Sequence, residues 1–548
     1  MNRVILFIFI ALMDVSYSKA CTNLIVGKAA SVDGSVFISY SADDYGQYGF
    51  LCHYPAGKHA KGTKRSIYNW ESNKYTGEIE EAPETYNVIG NINEFQVSIG
   101  ETTFGGRPEL ADSTGIIDYG SLIYLSLQRS KTARQAIDVM TSLVKQYGYN
   151  SEGESFTIAD PNEAWIMEMI GKGVGNKGAV WVAVRVPDDC ICAHANQSRI
   201  HRFNLKDKKN CIYSPDVISF ARKMGYFSGK DSDFDFANVY CPAGFSERRF
   251  CEARVWSFFN KWTDGMEQYL EYVEGKEMGR EPMPLFVKPT KKLSVQDVIS
   301  GMRDHYEGTP FDLTKDAGAG PYDSPYRPTP LTWTYNGKTY FNERPISTQQ
   351  TAFVFVSQLR SFMPDAVGGV LWFGADDANM VAFTPIYCCT NEVPECYSNK
   401  TADAVTFSWK SAFWSCNFVA NMVYPRYSML FGDVEKVRNG LENSYIKQQT
   451  EIEKKAMDLL QKNQNKGKKY LQEYSVKTAQ EMLIRWNKLG EHLIVKYNDQ
   501  TIRPEKDGHL QRSPYGLGAA PIRVGYPDKY RKVIIEETDD RYLVPEKE

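Results

Sequence analysis

The stretch Cys21-Thr22-Asn23-Leu24-Ile25-Val26-Gly27-Lys28, with Ser31-Val32-Asp33-Gly34 and Ser35 to Tyr40 close behind it, decides the fold of this chain. Thr22 to Val26 and Ser35 to Tyr40 are rich in β-formers and Ser31 to Gly34 make a turn, so the spacing predicts a β-hairpin that begins at a cysteine. The residues before Cys21 explain why it stands there. They open with one basic residue, Arg3, continue through the apolar run Val4 to Met13 and end in the more polar Asp14 to Ala20. That is the layout of a secretory signal peptide over residues 1–20. The apolar run is about half of what a membrane-crossing helix needs, so no stable membrane span is expected from it. Ser18 and Ala20 are small residues at the third and first positions before a cut that would leave Cys21 as the first residue. The protein is therefore expected to be exported, to the periplasm or outside the cell.

Cleavage at that point changes the chemistry of Cys21. A lysine amine titrates near ~10.4 and is a poor base at neutral pH, whereas an α-amine titrates near ~7.7 to 8.0. A thiol of pKa about 8.5 beside such an amine can pass its proton to it, directly or through one water, without any histidine. Two other readings of the residue stand beside this one. Lipoproteins also begin with cysteine, although here Ser18 occupies the position where they carry a large aliphatic residue, and an exported cysteine can be half of a disulfide. The chain has 11 cysteines, an odd number, so at least one thiol lies outside any internal disulfide framework. With Cys21 set aside, parity permits up to about five disulfides among the rest.

Outward from the hairpin, Tyr86 to Ile89 and Gln96 to Ile99 flank a turn around Gly90 to Phe95, and Ser121 to Lys145 has helical spacing. Phe156 to Ile158, Glu163 to Ile170 and Gly178 to Val186 read as successive strands. Val295 to Tyr306 reads as a helix, and Ala352 to Val356 and Gly369 to Phe373 as strands. Strands in bunches and helices in bunches predict an α+β fold. No linker divides residues 21–430, which are read as one domain. Residues 431–548 are read as a helical extension and tail on the same body: their Leu, Ala and Trp positions fall at helical spacing up to about Tyr497, with Lys466-Gly467-Lys468 as the expected interruption.

Composition narrows the function. Of 548 residues, 42% are hydrophobic and 24% charged, with a net charge of -3, which excludes a disordered chain and gives no basic surface for nucleic acid. Gly173-Val174-Gly175-Asn176-Lys177-Gly178 has the letters of a dinucleotide-binding loop, but the β-rich Ala179 to Val186 follows it and not a helix, so it reads as a turn. The histidines never fall in a metalloprotease spacing, and Cys190-Ile191-Cys192 and Cys388-Cys389 lack the gap of zinc or redox pairs. No metal and no cofactor is expected.

Several blocks carry a resemblance. The opening Cys21 to Lys28 with Asp33-Gly34-Ser35 is followed by Gly100-Glu101-Thr102-Thr103-Phe104-Gly105-Gly106, by Ala164-Trp165 and Arg185-Val186-Pro187-Asp188, and by Ala195-Asn196-Gln197-Ser198-Arg199-Ile200. Arg303-Asp304-His305-Tyr306-Glu307-Gly308-Thr309, Ser324-Pro325-Tyr326-Arg327, Thr348-Gln349-Gln350-Thr351 and Leu371-Trp372-Phe373-Gly374 complete the order. In that order they resemble the secreted and bacterial cysteine dipeptidases of the dipeptidase A type, N-terminal-nucleophile hydrolases related to secernins. The resemblance implies a four-layer αββα fold, with the C-terminal helices as an extension, and hydrolysis of dipeptides or short peptides by Cys21. Asp43 falls where relatives have an aspartate near the nucleophile's amine. Asn93 and Asn196 fall where asparagines hold the substrate or its oxyanion. Some relatives have an arginine where this chain has Tyr40. Arg199 is the first candidate to replace it, ahead of Arg248, Arg249 and Arg254.

The expected chemistry follows from the needs of amide hydrolysis: a nucleophile, donors for the oxyanion, and a proton for the leaving amine. Each assignment has a plainer alternative. Asp43 stands in a polar run beside Asp44, Asn93 suits a turn, Asn196-Gln197-Ser198 is a glycosylation sequon, and His305 suits a hydrogen-bonded structural role. Two other functions compete: an acylase for another amide, of bile-salt or penicillin type, and a non-catalytic surface lipoprotein acylated at Cys21. Assembly into a homo-oligomer is left open.

Overall fold

The structure, a computed structural model, describes residues 21–276 and 281–545; the signal peptide expected over 1–20 lies outside the described residues. The fold is α+β. Its centre is two antiparallel sheets. The first has six strands in the order Ile191–His194, Asn23–Val26, Val36–Asp43, Thr351–Leu359, Val370–Ala375, Thr384–Tyr387. The second has eight, running from Cys211–Tyr213 through Ala179–Arg185, Ala164–Gly171, Gly153–Ala159 and Ser98–Gly105 to the short strands Ile92–Asn93, Val88–Ile89 and His53–Tyr54. The expected opening hairpin is present. The glycine-rich segment after Ile170 is the turn joining Ala164–Gly171 to Ala179–Arg185.

The two sheets face each other through Asn23–Val26, Val36–Asp43, Ser98–Gly105 and Gly153–Ala159. Both faces of these strands are covered: every residue of Val36–Asp43, Gly153–Ala159 and Ala164–Gly171 is buried. Polar pins cross the interface. Asn23 Nδ2 donates to Glu101 O at 2.5 Å and Ser98 Oγ meets Ser357 Oγ at 2.7 Å. His194 of the six-stranded sheet bridges Thr102 Oγ1 and Thr157 Oγ1 of the other, each at 2.7 Å. Gly100 is glycine because the sheets come this close: a Cβ there would stand 2.3 Å from Asn23 Oδ1 and 3.1 Å from Tyr40 Cβ.

Helices cover both sheets. Tyr119–Leu127 and Ala133–Tyr147 bury Leu122, Ile123, Ile137 and Met140 against the eight-stranded sheet. The spacing predicts one helix here and the structure has two, because Thr132, in extended conformation, caps the second through Gln135 N, while Asp118 caps the first. The helix expected over Val295 to Tyr306 ends at Met302, and its start at Ser294 is a capping box with Asp297. On the six-stranded sheet lie Val295–Met302, Ala412–Val423 and the long helices Tyr427–Lys462 and Gln464–Lys496.

The tail helices join the same core. Arg360 of the body forms a two-pronged ion pair with Glu453, at 2.6 and 2.9 Å, and Arg303 one with Glu442, at 2.5 and 3.0 Å. The break between the two helices is at Asn463, whose side chain accepts from Lys466 N, and not at Lys466-Gly467-Lys468. Gly467 serves close helix contact instead, since a Cβ there would lie 2.4 Å from Leu460 Cγ. Beyond the tail helices, Asp528–Thr538 buries no residue. All 11 cysteines are free thiols and ten of them are buried, so the even remainder that parity would allow to pair forms no disulfide. Among the described residues no helix is long and apolar enough to cross a membrane.

Candidate active site

Strand register assembles the site. Asn23 pairs with His194 and Thr22 bridges Ser41, so the chain entering the first strand runs between two neighbours. One residue earlier, Cys21 lies beside Asn196 on one flank and beside Ala42 and Asp43 on the other. The Cys21 thiol is buried. Its Sγ lies 3.8 Å from Tyr40 Oη and 3.8 Å from Glu101 Oε1. Burial, then the charges of Glu101 and Asp43, hold the thiol well above its ordinary range. In this chain the Cys21 nitrogen is still an amide, joined to Ala20.

Asp43 is fully buried and heavily held. Its carboxylate accepts from Thr351 Oγ1 at 2.7 Å, Ser41 Oγ at 3.1 Å and Arg344 Nη2 at 2.7 Å. An ionised carboxylate offers about four lone-pair sites, so one remains for a further donor. The ion pair with Arg344 is buried on both sides, a geometry in which losing either partner strands a charge.

Of the two asparagines, the structure brings one to Cys21. Asn196 is in left-handed conformation, donates from Nδ2 to Thr103 O at 2.8 Å and accepts from Arg254 Nη2 at 2.9 Å. Asn93 is fully used elsewhere: its Nδ2 donates to Leu127 O and to Ser130 O, both at 2.7 Å, and its Oδ1 accepts from Phe95 N and Val97 N. Both of its amide hydrogens are taken by carbonyls at the end of helix Tyr119–Leu127, so it has none to offer an oxyanion.

The arginine beside Cys21 is Arg254 and not Arg199. Arg254 is fully buried at the start of helix Ala253–Trp262, behind a widened helical turn. Its Nη1 donates to Cys21 O at 2.6 Å and Thr22 Oγ1 at 2.8 Å, and its Nη2 to Ala195 O at 2.8 Å and to Asn196. One guanidinium thus ties Cys21 to Asn196. Arg199 is spent on Glu252 at 3.0 Å, Ala193 O and Pro284 O, and stacks on Phe259. Arg249 pairs with Glu343, and Arg248 lies over the Tyr272 ring. His305 is buried against Glu307 and meets the Tyr326 ring edge to face.

Tyr40, the departure from the relatives' arginine, donates to Glu101 Oε1 at 2.6 Å. Glu101 lies in the field of a second buried carboxyl, Glu154 on the adjacent strand, which accepts from Thr103 Oγ1 at 2.8 Å. Burial raises both carboxyls, Glu154 far above its usual range. Three groups at the site, Glu101, Glu154 and Arg344, were not picked out from the sequence. Glu101 had a signal, its place in the block Gly100 to Gly106; the other two had none. A group of three residues with metal-ligating side chains, Asp433, His492 and Glu505, lies on the tail. The Lys496 ammonium stands between its carboxylates, 2.8 Å from Asp433 and 2.9 Å from Glu505, where a cation would go.

A buried thiol held among a carboxylate, an arginine and an asparagine just ahead of a strand suits nucleophilic hydrolysis. Residues 20–440 match the family described as Peptidase family C69, and the chain belongs to that family: it is a peptidase. Among its relatives is a protein named "Probable dipeptidase" from Salmonella dublin, 28% identical over 69% of this chain and 83% of the relative. Another of that name, from Latilactobacillus sakei, is 27% identical over 75% of this chain and 82% of its own. "Dipeptidase A" of Lactobacillus helveticus is 23% identical over 85% of this chain and 92% of its own.

Proposed function

We propose that this peptidase cleaves dipeptides and short peptides with Cys21 as an N-terminal nucleophile, exposed when an export signal over residues 1–20 is removed. Two facing sheets with helices outside each support the four-layer αββα arrangement of N-terminal-nucleophile hydrolases. The observation that carries the reading is the convergence of Asp43, Asn196 and Arg254 on Cys21.

After the cut, the new α-amine forms beside Asp43, whose open lone pair orients it and favours its charged form. The amine takes the thiol proton, the thiolate attacks the carbonyl carbon, and an oxyanion forms facing the Asn196 side. The α-ammonium returns its proton to the leaving nitrogen as the C–N bond breaks. Water, deprotonated by the same amine, then opens the thioester and restores the thiol. Arg254 holds the Cys21 carbonyl and Asn196 in register and is a positioning residue.

The test is a panel of dipeptides against bile-salt and penicillin amides with protein that begins at Cys21, together with a mass spectrum of that terminus. The reading expects an unmodified cysteine, dipeptide turnover, and a loss of at least about 10⁴-fold in kcat for Cys21→Ala. Turnover retained by Cys21→Ala, a preference for the acyl amides, or a diacylated Cys21 would each overturn it.

A further inference from the structure

Two buried carboxyls next to Cys21 have no role in the chemistry above. Glu101 is 1% exposed and Glu154 1% exposed, on the adjacent strands Ser98–Gly105 and Gly153–Ala159. Each has one buried oxygen, Glu101 Oε2 and Glu154 Oε2, with no hydrogen-bond partner among the described residues, and burial, then the charge of Glu101, raises the titration of Glu154. Among the described residues the groups that act most strongly on the pair are Tyr40, Cys21, Thr103 and the exposed Glu71, none of them a cation. Tyr119 and Tyr149 lie within its field and are likewise anionic when they titrate. Burying carboxyls without a counter-charge is costly, and the ion pairs Asp43–Arg344 and Arg360–Glu453 show that this chain supplies counter-charges elsewhere.

We propose that Glu101 and Glu154 form the pocket for the substrate's free α-ammonium, so that a free amino terminus on the attacked residue is what the site selects. The inference rests on the reading of Cys21 as nucleophile toward short peptides. Covalent geometry puts the amino nitrogen of an amino acid about 2.5 Å from its own carbonyl carbon. A sulfur poised for attack stands roughly 3 to 3.5 Å from that carbon. The ammonium of a bound dipeptide therefore falls within about 6 Å of the sulfur. Glu101 Oε1 is 3.8 Å from Sγ, so one charge-assisted hydrogen bond spans what remains.

The arrangement also couples selection to activation. Glu101 is the largest charge holding the Cys21 thiol protonated. An ammonium seated on the pair cancels that field and eases the thiol proton onto the α-amine. An N-acylated substrate brings no cation, leaves the carboxyls unmatched and leaves the thiol's acidity as it was.

The experiment compares alanyl-alanine with two counterparts that carry no free amine, the deamino analogue propionyl-alanine and the blocked N-acetyl-alanyl-alanine, on protein beginning at Cys21. Wild type should favour alanyl-alanine by roughly a hundredfold or more in kcat/KM over both. Glu101→Gln, nearly isosteric, should lose roughly a hundredfold on alanyl-alanine while propionyl-alanine changes only a few-fold, with melting temperature as the folding control. Glu154→Gln should narrow the preference in the same direction. Wild type cleaving propionyl-alanine as well as alanyl-alanine, or folded Glu101→Gln keeping the full preference, would overturn this inference and leave the dipeptidase reading intact. Wild type that cleaves neither compound would overturn that reading and this one with it. Should Glu101→Gln not fold, the wild-type comparison decides alone.

Discussion

On one side of the Cys21 sulfur a buried carboxylate is matched, and on the other two are not. Asp43 has Arg344, Thr351 and Ser41 arranged around it. Glu101 and Glu154 have one hydroxyl donor each, and among the described residues neither has a counter-ion. The same residue chemistry at similar burial thus serves two ends. A matched carboxylate is a fixed part of the machinery, set before substrate arrives. An unmatched pair is incomplete without a visitor, and its cost to the empty protein is recovered only when a cation arrives.

The sharpest way to break this comparison is stability. Asp43→Asn strands the Arg344 guanidinium and should cost about 3 to 5 kcal/mol in a denaturant titration. Glu154→Gln removes a buried acid that has no counter-ion among the described residues and should be neutral or stabilising. Equal losses for the two would mean that the Glu101–Glu154 pair is as well matched as Asp43.

Next comes the pair of asparagines. Asn196→Ala should lower kcat by roughly a hundredfold or more at unchanged folding, the effect of losing an oxyanion donor. Asn93→Ala should instead show in stability, by about 1 to 3 kcal/mol, because four backbone groups lose their partner. An activity loss for Asn93→Ala at full folding would return it to the site.

The smallest effect lies in His194, the pin between the sheets. Burial, then the Arg199 charge, lowers its pKa to about 3, so the folded protein keeps it neutral. A depressed histidine contributes stability that is present above the unfolded value near ~6.5 and is lost as pH falls toward about 3. Between pH 6.5 and 5 the loss from this one group should be about 2 kcal/mol, and His194→Gln should flatten the stability profile over that window. A profile of unchanged slope would remove His194 from the account.

How much of this was legible beforehand depends on sequence distance. The hairpin, the cysteine at its start and the α+β grouping came from local pattern, and the family blocks pointed to Asp43 and Asn196. Partners that arrive across the fold left no trace: Arg344 is 301 residues from Asp43, and Arg254 is 233 from Cys21. Arg199 stands in the same Ala195 to Ile200 block as Asn196 and was the natural choice by position, yet Glu252 claims it. The strands at the interface are buried on both faces, so period-two alternation could not say which side chains meet. Tyr40 was visible as an odd residue, but its meaning depends on Glu101, which only the pairing of the two sheets brings within 2.6 Å. In the tail, Gly467 reads as a helix breaker by propensity, whereas helix packing put it where only glycine fits against Leu460.

The central claim is that Cys21 works through its own α-amine. The direct measurement is alanyl-alanine hydrolysis by two preparations of the chain that differ by one residue, one beginning at Cys21 and one at Ala20. With Ala20 attached, the Cys21 nitrogen is an amide with no basic lone pair, while the thiol, Asp43, Asn196 and Arg254 are unchanged. The account predicts full turnover from the first and none above background from the second, at matched melting temperatures. Equal turnover from both would contradict it, because the base would then have to be another group.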